Sequence, residues 1–295
     1  MIRAEGVSKS YGSYQALKPL DLFIEEGKIF GLLGPNGAGK TSFIRILNQI
    51  TAPDQGKIFF REEALAPQHI SKIGYLPEER GLYPKMRIGE QLLYLAQLKG
   101  VEKAYAKDLI GNWLKRFSLW EWKDKTVEEL SKGMAQKVQF IATVLHEPEL
   151  IILDEPFTGF DPINTEAIKS EILNLREKGA SIIFSTHRME SVEQLCDDIA
   201  LIDKGNKILD GSLDEIKRSY RSGLYSVTTK RALPNLAPEV GSIKKSTEER
   251  GSFHHLIAVN DAAELLKVLL PLELVKYEEE EVTLHEIFIK SVESV

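Results

Sequence analysis

Apolar residues recur in three rhythms along this chain, and the changes of rhythm mark its architecture. Residues 1–33 alternate apolar and polar positions around turn signals at Tyr11-Gly12-Ser13 and Glu25-Glu26-Gly27, the period-two pattern of an antiparallel strand group. Continuous apolar runs at 28–33, 150–153 and 181–184 instead predict strands buried on both faces, as in a parallel sheet. From about Ile88 the apolar spacing becomes three and four, predicting helices over 88–99, 107–117 and 135–145. The expected core is therefore an α/β domain with a helical insertion at about 86–148.

Past the third buried run, 199–203 and 207–210 flank Gly205-Asn206 and read as a hairpin, and 212–220 reads as a helix. The composition then shifts. Strand-like pieces at 224–228 and 253–259, a helix-like piece at 262–269 and a final segment at 284–292 predict a small α+β domain over 221–295, after a larger domain over 1–220. Pro234, Pro238 and Gly241 are expected in the loop between the two strand pieces, and the four acids Glu278 to Glu281 on a solvated edge.

At 295 residues, 43% hydrophobic and 28% charged, the chain has the composition of a globular protein, so disordered and fibrous classes are excluded. No run approaches 18 apolar residues and the first ten lack a signal-peptide core, which leads us to expect a cytoplasmic protein. The single cysteine, Cys196, has no pairing or ligand partner in sequence and is expected to be a buried thiol. A net charge of −6 disfavours nucleic acid as a partner.

The chemistry concentrates at residues 34–41, GPNGAGKT, placed between a predicted buried strand and a predicted helix. This is the arrangement of a phosphate-binding loop. Gly34, Gly37 and Gly39 allow backbone conformations a Cβ would block, so consecutive N–H groups of the loop beyond Pro35, at Asn36, Gly37 and Ala38, can cradle phosphate oxygens. The helix predicted from Ser42 to Ile50 adds its positive end. Lys40 is expected to reach the β- and γ-phosphates and the Thr41 hydroxyl to ligate Mg²⁺. Polar residues also close the other buried runs, Asp154-Glu155 and Ser185-Thr186-His187, where open α/β sheets place their ligands.

The segment Leu130-Ser131-Lys132-Gly133-Met134 resembles the LSGGQ signature of ATP-binding-cassette proteins, and ILDEP follows it at 152–156. With the phosphate loop, these motifs make residues 1 to about 220 similar to the nucleotide-binding subunit of an ABC transporter. The resemblance implies a P-loop NTPase ABC cassette, a mixed sheet core with a helical insertion, plus the small C-terminal α+β domain. It implies ATP and Mg²⁺ as cofactors. Tyr11 matches the residue that stacks on adenine, Asp154 the carboxylate that holds Mg²⁺, Glu155 the catalytic base and His187 the switch histidine. Gly159-Phe160-Asp161 matches the loop that communicates between subunits, while Ser131 and Gly133 match residues that cap the nucleotide of the opposite subunit. Two chains per working unit are implied, with two identical copies the simpler pairing.

Three positions depart from the family pattern. Glu78 stands where a glutamine is expected near the phosphates and Mg²⁺, and Lys132 and Met134 replace a glycine and the glutamine of the signature. The stretch from Tyr75 to Met86, the altered signature and the C-terminal domain together resemble the NatA-type subgroup of bacterial exporters. That subgroup implies a transmembrane permease of the ABC-2 class as partner, and a place on the inner face of the membrane through that partner. The competing reading is a soluble ABC ATPase acting as a regulatory or ribosome- or nucleic-acid-associated switch; one cassette and no coiled-coil arm speak against it. Trp113, Trp120 and Trp122 in the helical insertion are expected mainly to pack, and the adjacent His254 and His255 to face opposite sides of a strand.

Overall fold

The computed structural model describes residues 1–79 and 81–293; Arg80, within the Tyr75 to Met86 stretch, and the last two residues lie outside the described residues. The chain divides into two compact units, Met1–Leu213 and Asp214–Val295.

The first unit begins with β1 (Ile2–Tyr11) and β2 (Tyr14–Ile24), a hairpin closed by the Tyr11/Tyr14 pair. The wholly buried β3 (Ile29–Leu33) and α1 (Lys40–Leu47) follow, and then β4 (Gln55–Phe60) and β5 (Glu63–Ala64). After β6 (Ile73–Leu76) come the insertion helices α2 (Ile88–Leu98), α3 (Lys103–Arg116) and α4 (Lys132–Val144). The chain re-enters the core through β7 (Leu150–Asp154), α5 (Pro162–Glu177), β8 (Ser181–Thr186), α6 (Met189–Leu195), β9 (Asp198–Asp203) and β10 (Asn206–Ser212).

Two sheets result. One is antiparallel, in the order β2-β1-β4-β5, and the other runs β10-β9-β3-β8-β7-β6, parallel except for the β10 edge. Every residue of β3, β7 and β8 is buried, which is why their sequences are continuous apolar runs instead of alternating ones. A single core joins Ile2, Val7 and Leu20 of the antiparallel sheet, Leu32, Ile152 and Ile183 of the parallel sheet, and Phe43, Ile44 and Leu47 of α1. The helix that carries the end of the phosphate loop is thus anchored by apolar side chains from both sheets.

Helix caps set boundaries that apolar spacing missed. The Glu102 carboxylate accepts from the N–H groups of Ala104 and Tyr105 at 2.8 and 3.1 Å, so α3 starts four residues before the expected 107. The Ser131 hydroxyl likewise accepts from Met134 N–H, starting α4 at Lys132. The aromatic expectation divides: Trp113 packs with Phe117 and Phe140 at centroid distances of 5.9 and 6.3 Å, whereas Trp120 is 40% exposed beneath the ammonium groups of Lys115 and Lys123. The final hairpin turns at Lys204-Gly205, one residue before the expected Gly205-Asn206, since Asn206 already pairs with Asp203.

The second unit opens with α7 (Leu213–Ser219, its first residue belonging to the first unit), then β11 (Leu224–Thr229), β12 (Gly241–Glu249), β13 (Ser252–Val259), α8 (Ala262–Leu269), β14 (Leu274–Glu279) and α9 (Leu284–Glu293). Its antiparallel sheet runs β12-β13-β11-β14 around a small core of Val227, Ile257, Leu265 and Leu269. Gly241 begins β12 and does not sit in a loop; the rest of that strand is exposed on both faces, so no alternation marks it in sequence. Glu278 and Glu279 lie on the edge strand β14. His255 is buried and its neighbour His254 is exposed, as strand alternation requires.

Candidate functional site at the phosphate loop

The C-terminal ends of β3, β7 and β8 lie side by side, and the side chains of interest project from them. Leu33 of β3 pairs with Thr186 of β8, and Asp154 of β7 with Ser185. The loop after β3 needs glycine at two points. At Gly34, φ is 149° and a Cβ would collide with the Ile202 carbonyl; at Gly39, φ is 114° and a Cβ would stand 2.5 Å from the Ala16 carbonyl. The loop is thus pressed onto β9 on one side and β2 on the other.

A cleft of about 370 Å³ opens above it, lined by Tyr11, Tyr14, the backbone from Asn36 to Ser42, Glu78, Asp154 and Glu155. Lys40 is buried at 6% exposure, and its ammonium donates to the carbonyls of Gly34 at 2.7 Å and Pro35 at 3.1 Å. Burial pulls its pKa down, against the pull of Glu155, Asp154 and Glu78 in the opposite direction. The Thr41 hydroxyl donates to an Asp154 carboxylate oxygen at 3.4 Å. Asp154 is 2% exposed, and burial raises its pKa, with the charges of Glu78 and Glu155 adding to the effect and Lys40 opposing it. Several carboxylates therefore face one ammonium, a balance suited to an incoming cation.

Glu155 is held with unusual care. Its φ is +49°, a left-handed conformation costing a non-glycine residue roughly 1–2 kcal/mol. The strain is offset by a Glu155 N–H donated to the Ser185 carbonyl at 2.9 Å and by three donors to the carboxylate: Thr186 Oγ1 at 3.1 Å, the His187 N–H at 3.0 Å and His187 Nδ1 at 2.7 Å. A fixed carboxylate at the cleft, gripped from behind, can accept a proton from a water molecule.

The remaining sequence-predicted residues fall into two groups. Gly34 and Pro35 sit behind the cleft as acceptors for Lys40, and His187 reaches the site through Glu155. Ser131, Gly133 and Asp161 do not line the cleft of their own chain. Ser131 caps α4, Asp161 caps α5 by accepting from the Asn164 N–H at 2.9 Å, and the Lys132 side chain lies over Gly159. A second cavity of about 330 Å³ brings Lys132 together with Glu78, Glu79 and Glu155. Beside it, Gln139 of α4 donates to the carbonyls of Pro77 and Glu79 at 3.3 and 3.1 Å, fixing the segment that carries Glu78.

Sequence reasoning missed Tyr14, Thr186 and Gln139. Thr186 stood in the polar strand end already singled out, whereas nothing in the local pattern of the other two marks them. Cys196 is buried, and desolvation drives its thiol pKa up, as suits an inert core thiol. Among the described residues no cluster of three or more His, Cys, Asp or Glu side chains is arranged to hold a metal, and no helix is long and apolar enough to cross a membrane. A Thr41–Asp154 pair still fits Mg²⁺, which takes one or two protein ligands and completes its shell with water and phosphate oxygens.

Residues 17–158 match the ABC transporter family model, and residues 211–292 match the C-terminal domain of DrrA1-3-like ATP-binding proteins. The chain is similar to the uncharacterized ABC transporter ATP-binding protein YhaQ of Bacillus subtilis (strain 168), at 43% identity over 100% of this chain and 99% of that protein. It is also similar to the ABC transporter ATP-binding protein NatA of the same organism, at 35% identity over 70% of this chain and 86% of NatA. Among solved structures, an ATP-binding subunit of an ABC transporter superposes with a TM-score of 0.70 at 30% identity, covering 75% of this chain and 93% of the other. Full-length likeness, a matching fold and a phosphate loop facing Asp154 and Glu155 converge: the chain belongs to the ATP-binding subunits of ABC transporters, ATPases coupled to transport.

Proposed function

We propose that this chain powers a bacterial ABC-2 type exporter through ATP-driven dimerisation, with Glu155 as the base that activates the attacking water. The observation that carries the reading is the grip of Thr186 and His187 on the Glu155 carboxylate at the edge of the phosphate-loop cleft.

Each residue has a part. Tyr11 stacks on adenine, and the loop from Gly34 to Ser42 wraps the phosphates, with the Lys40 ammonium exchanging its carbonyl partners for phosphate oxygens. Thr41, Asp154 and Glu78 would hold Mg²⁺, and the ion would neutralise phosphate charge. Glu155 accepts the proton as water attacks the γ-phosphate, and His187 keeps the carboxylate oriented while contacting the same phosphate. Ser131, Gly133 and Asp161 belong to the partner's nucleotide. Their placement outside their own cleft is what such a role requires. Two identical chains form the pair, and hydrolysis separates them.

The cassette is the first unit, Met1–Leu213, with its helical part at about 86–148, and the second unit, Asp214–Val295, adds dimer contacts. The permease is the membrane partner, and the chain works in the cytoplasm, peripheral on the inner face of the membrane through it. The exposed aromatic residues Tyr83, Tyr94 and Trp120 near and within the insertion supply anchors for that subunit. The subgroup reading rests on the NatA likeness and the DrrA-like C-terminal domain.

Affinity purification of the tagged chain from detergent-solubilised host membranes, followed by mass spectrometry, tests the proposal. A polytopic protein with about six spans is the expected companion; ribosomes, nucleic acid or soluble proteins alone would favour the soluble-switch reading.

A further inference from the structure

Tyr14 shares the nucleotide cleft with Tyr11 but contacts the phosphate loop itself, its hydroxyl donating to the Gly37 carbonyl at 3.3 Å. Gly37 is the apex of that loop. Its φ is +80°, the residue is exposed, and a Cβ built there would meet nothing within 4 Å, so little packing restrains that side of the loop. Hydrogen bonds supply restraint there. The peptide that joins Gly37 to Ala38 is planar, with its carbonyl and N–H pointing opposite ways. One end accepts from Tyr14, and the Ala38 N–H at the other end donates to the Pro35 carbonyl at 3.2 Å. The next carbonyl, of Ala38, accepts from the Gly205 N–H at 2.9 Å.

We infer that Tyr14 is a positioning residue for phosphate binding: its hydroxyl fixes the apex peptide of the loop, an inference that rests on the reading of this cleft as the ATP site. The side chain is 58% exposed, so the core does not depend on it. Its place follows from the hairpin, in which Tyr11 and Tyr14 are direct cross-strand partners on either side of the Gly12-Ser13 turn. That short turn puts one aromatic ring and one phenol hydroxyl at the same mouth: the Tyr11 ring is exposed, with the Lys9 ammonium 5.8 Å from its centroid, and the Tyr14 hydroxyl is committed to the loop.

The test is calorimetric titration of the full chain with ADP and with pyrophosphate, for wild type, Tyr14→Phe and Tyr11→Leu. Tyr14→Phe should weaken both ligands by the same factor, roughly threefold to tenfold for one hydrogen bond, with the melting temperature unchanged. Tyr11→Leu should weaken ADP alone, because pyrophosphate has no base. Equal binding by wild type and Tyr14→Phe, or a loss for ADP without one for pyrophosphate, overturns the positioning role. A lower melting temperature with unchanged affinities overturns it too. Failure of the wild type to bind ADP would instead remove the nucleotide site, and this inference with it.

Discussion

Replacing Glu155 by Gln separates the chemistry of the carboxylate from its architecture. Glutamine has the same length, so it keeps one carbonyl oxygen for the His187 N–H, and the Thr186 hydroxyl can rotate to accept from the new amide. The left-handed backbone at this position is carried by either residue at similar cost. What disappears is the negative charge and the proton-accepting oxygen. General-base catalysis contributes roughly a hundredfold to ten-thousandfold, or about 3–5 kcal/mol of barrier, so turnover in a phosphate-release assay should fall by that range. ATP should bind at least as tightly, because the cleft beside Lys40 and Asp154 loses one negative charge. A variant that turns over within about threefold of wild type, with its fold intact, would refute the assignment of the base.

Asp154→Asn should abolish Mg²⁺-dependent hydrolysis while raising the melting temperature of the nucleotide-free protein. Its carboxyl pKa is raised by burial and by neighbouring carboxylates, so ionisation costs folded-state stability as pH rises from the unfolded-state value through the folded one; the thermal gain should vanish in acid, and a gain independent of pH would contradict this. His146 is pushed down to about 4 by burial, with Lys99 adding and the Ile73 carbonyl opposing. Its contribution is therefore complete above about pH 6.5 and is lost as pH falls toward 4, at most about 3 kcal/mol, and His146→Gln should flatten that arm of a stability-versus-pH curve. Gly34→Ala should eliminate ADP binding in calorimetry, since the new Cβ drives the loop off the Ile202 carbonyl; unchanged affinity would mean the loop tolerates the shift. Phe140→Ala, deep in the insertion beside Trp113 and Phe117, should cost about 3–5 kcal/mol in chemical denaturation, and a loss under 1 kcal/mol would deny that cluster its structural role.

Much of the fold was legible because burial on two faces leaves an unmistakable apolar run, and β3, β7 and β8 are such strands. The phosphate loop was legible because Gly34 and Gly39 are required by backbone crowding that no other residue type relieves. Less visible were the features decided by distant partners. Strand β12 is exposed on both faces and lacks any periodicity, and the starts of α3 and α4 depend on capping by Glu102 and Ser131 instead of on apolar spacing. Gln139 acts on a segment some sixty residues earlier in the chain, a pairing no local pattern encodes. The strained φ of Glu155 was equally hidden, since Asp-Glu-Pro after a strand reads as a simple strand exit.

The most direct test of the ATP-driven switch is the mass of the Glu155→Gln chain measured by light scattering, with and without ATP and Mg²⁺. The mass should be that of one chain without nucleotide and of two chains with it, the dimer being lost when Ser131 is replaced by Arg. A Glu155→Gln protein that binds ATP yet keeps the mass of a single chain would contradict the ATP-driven switch.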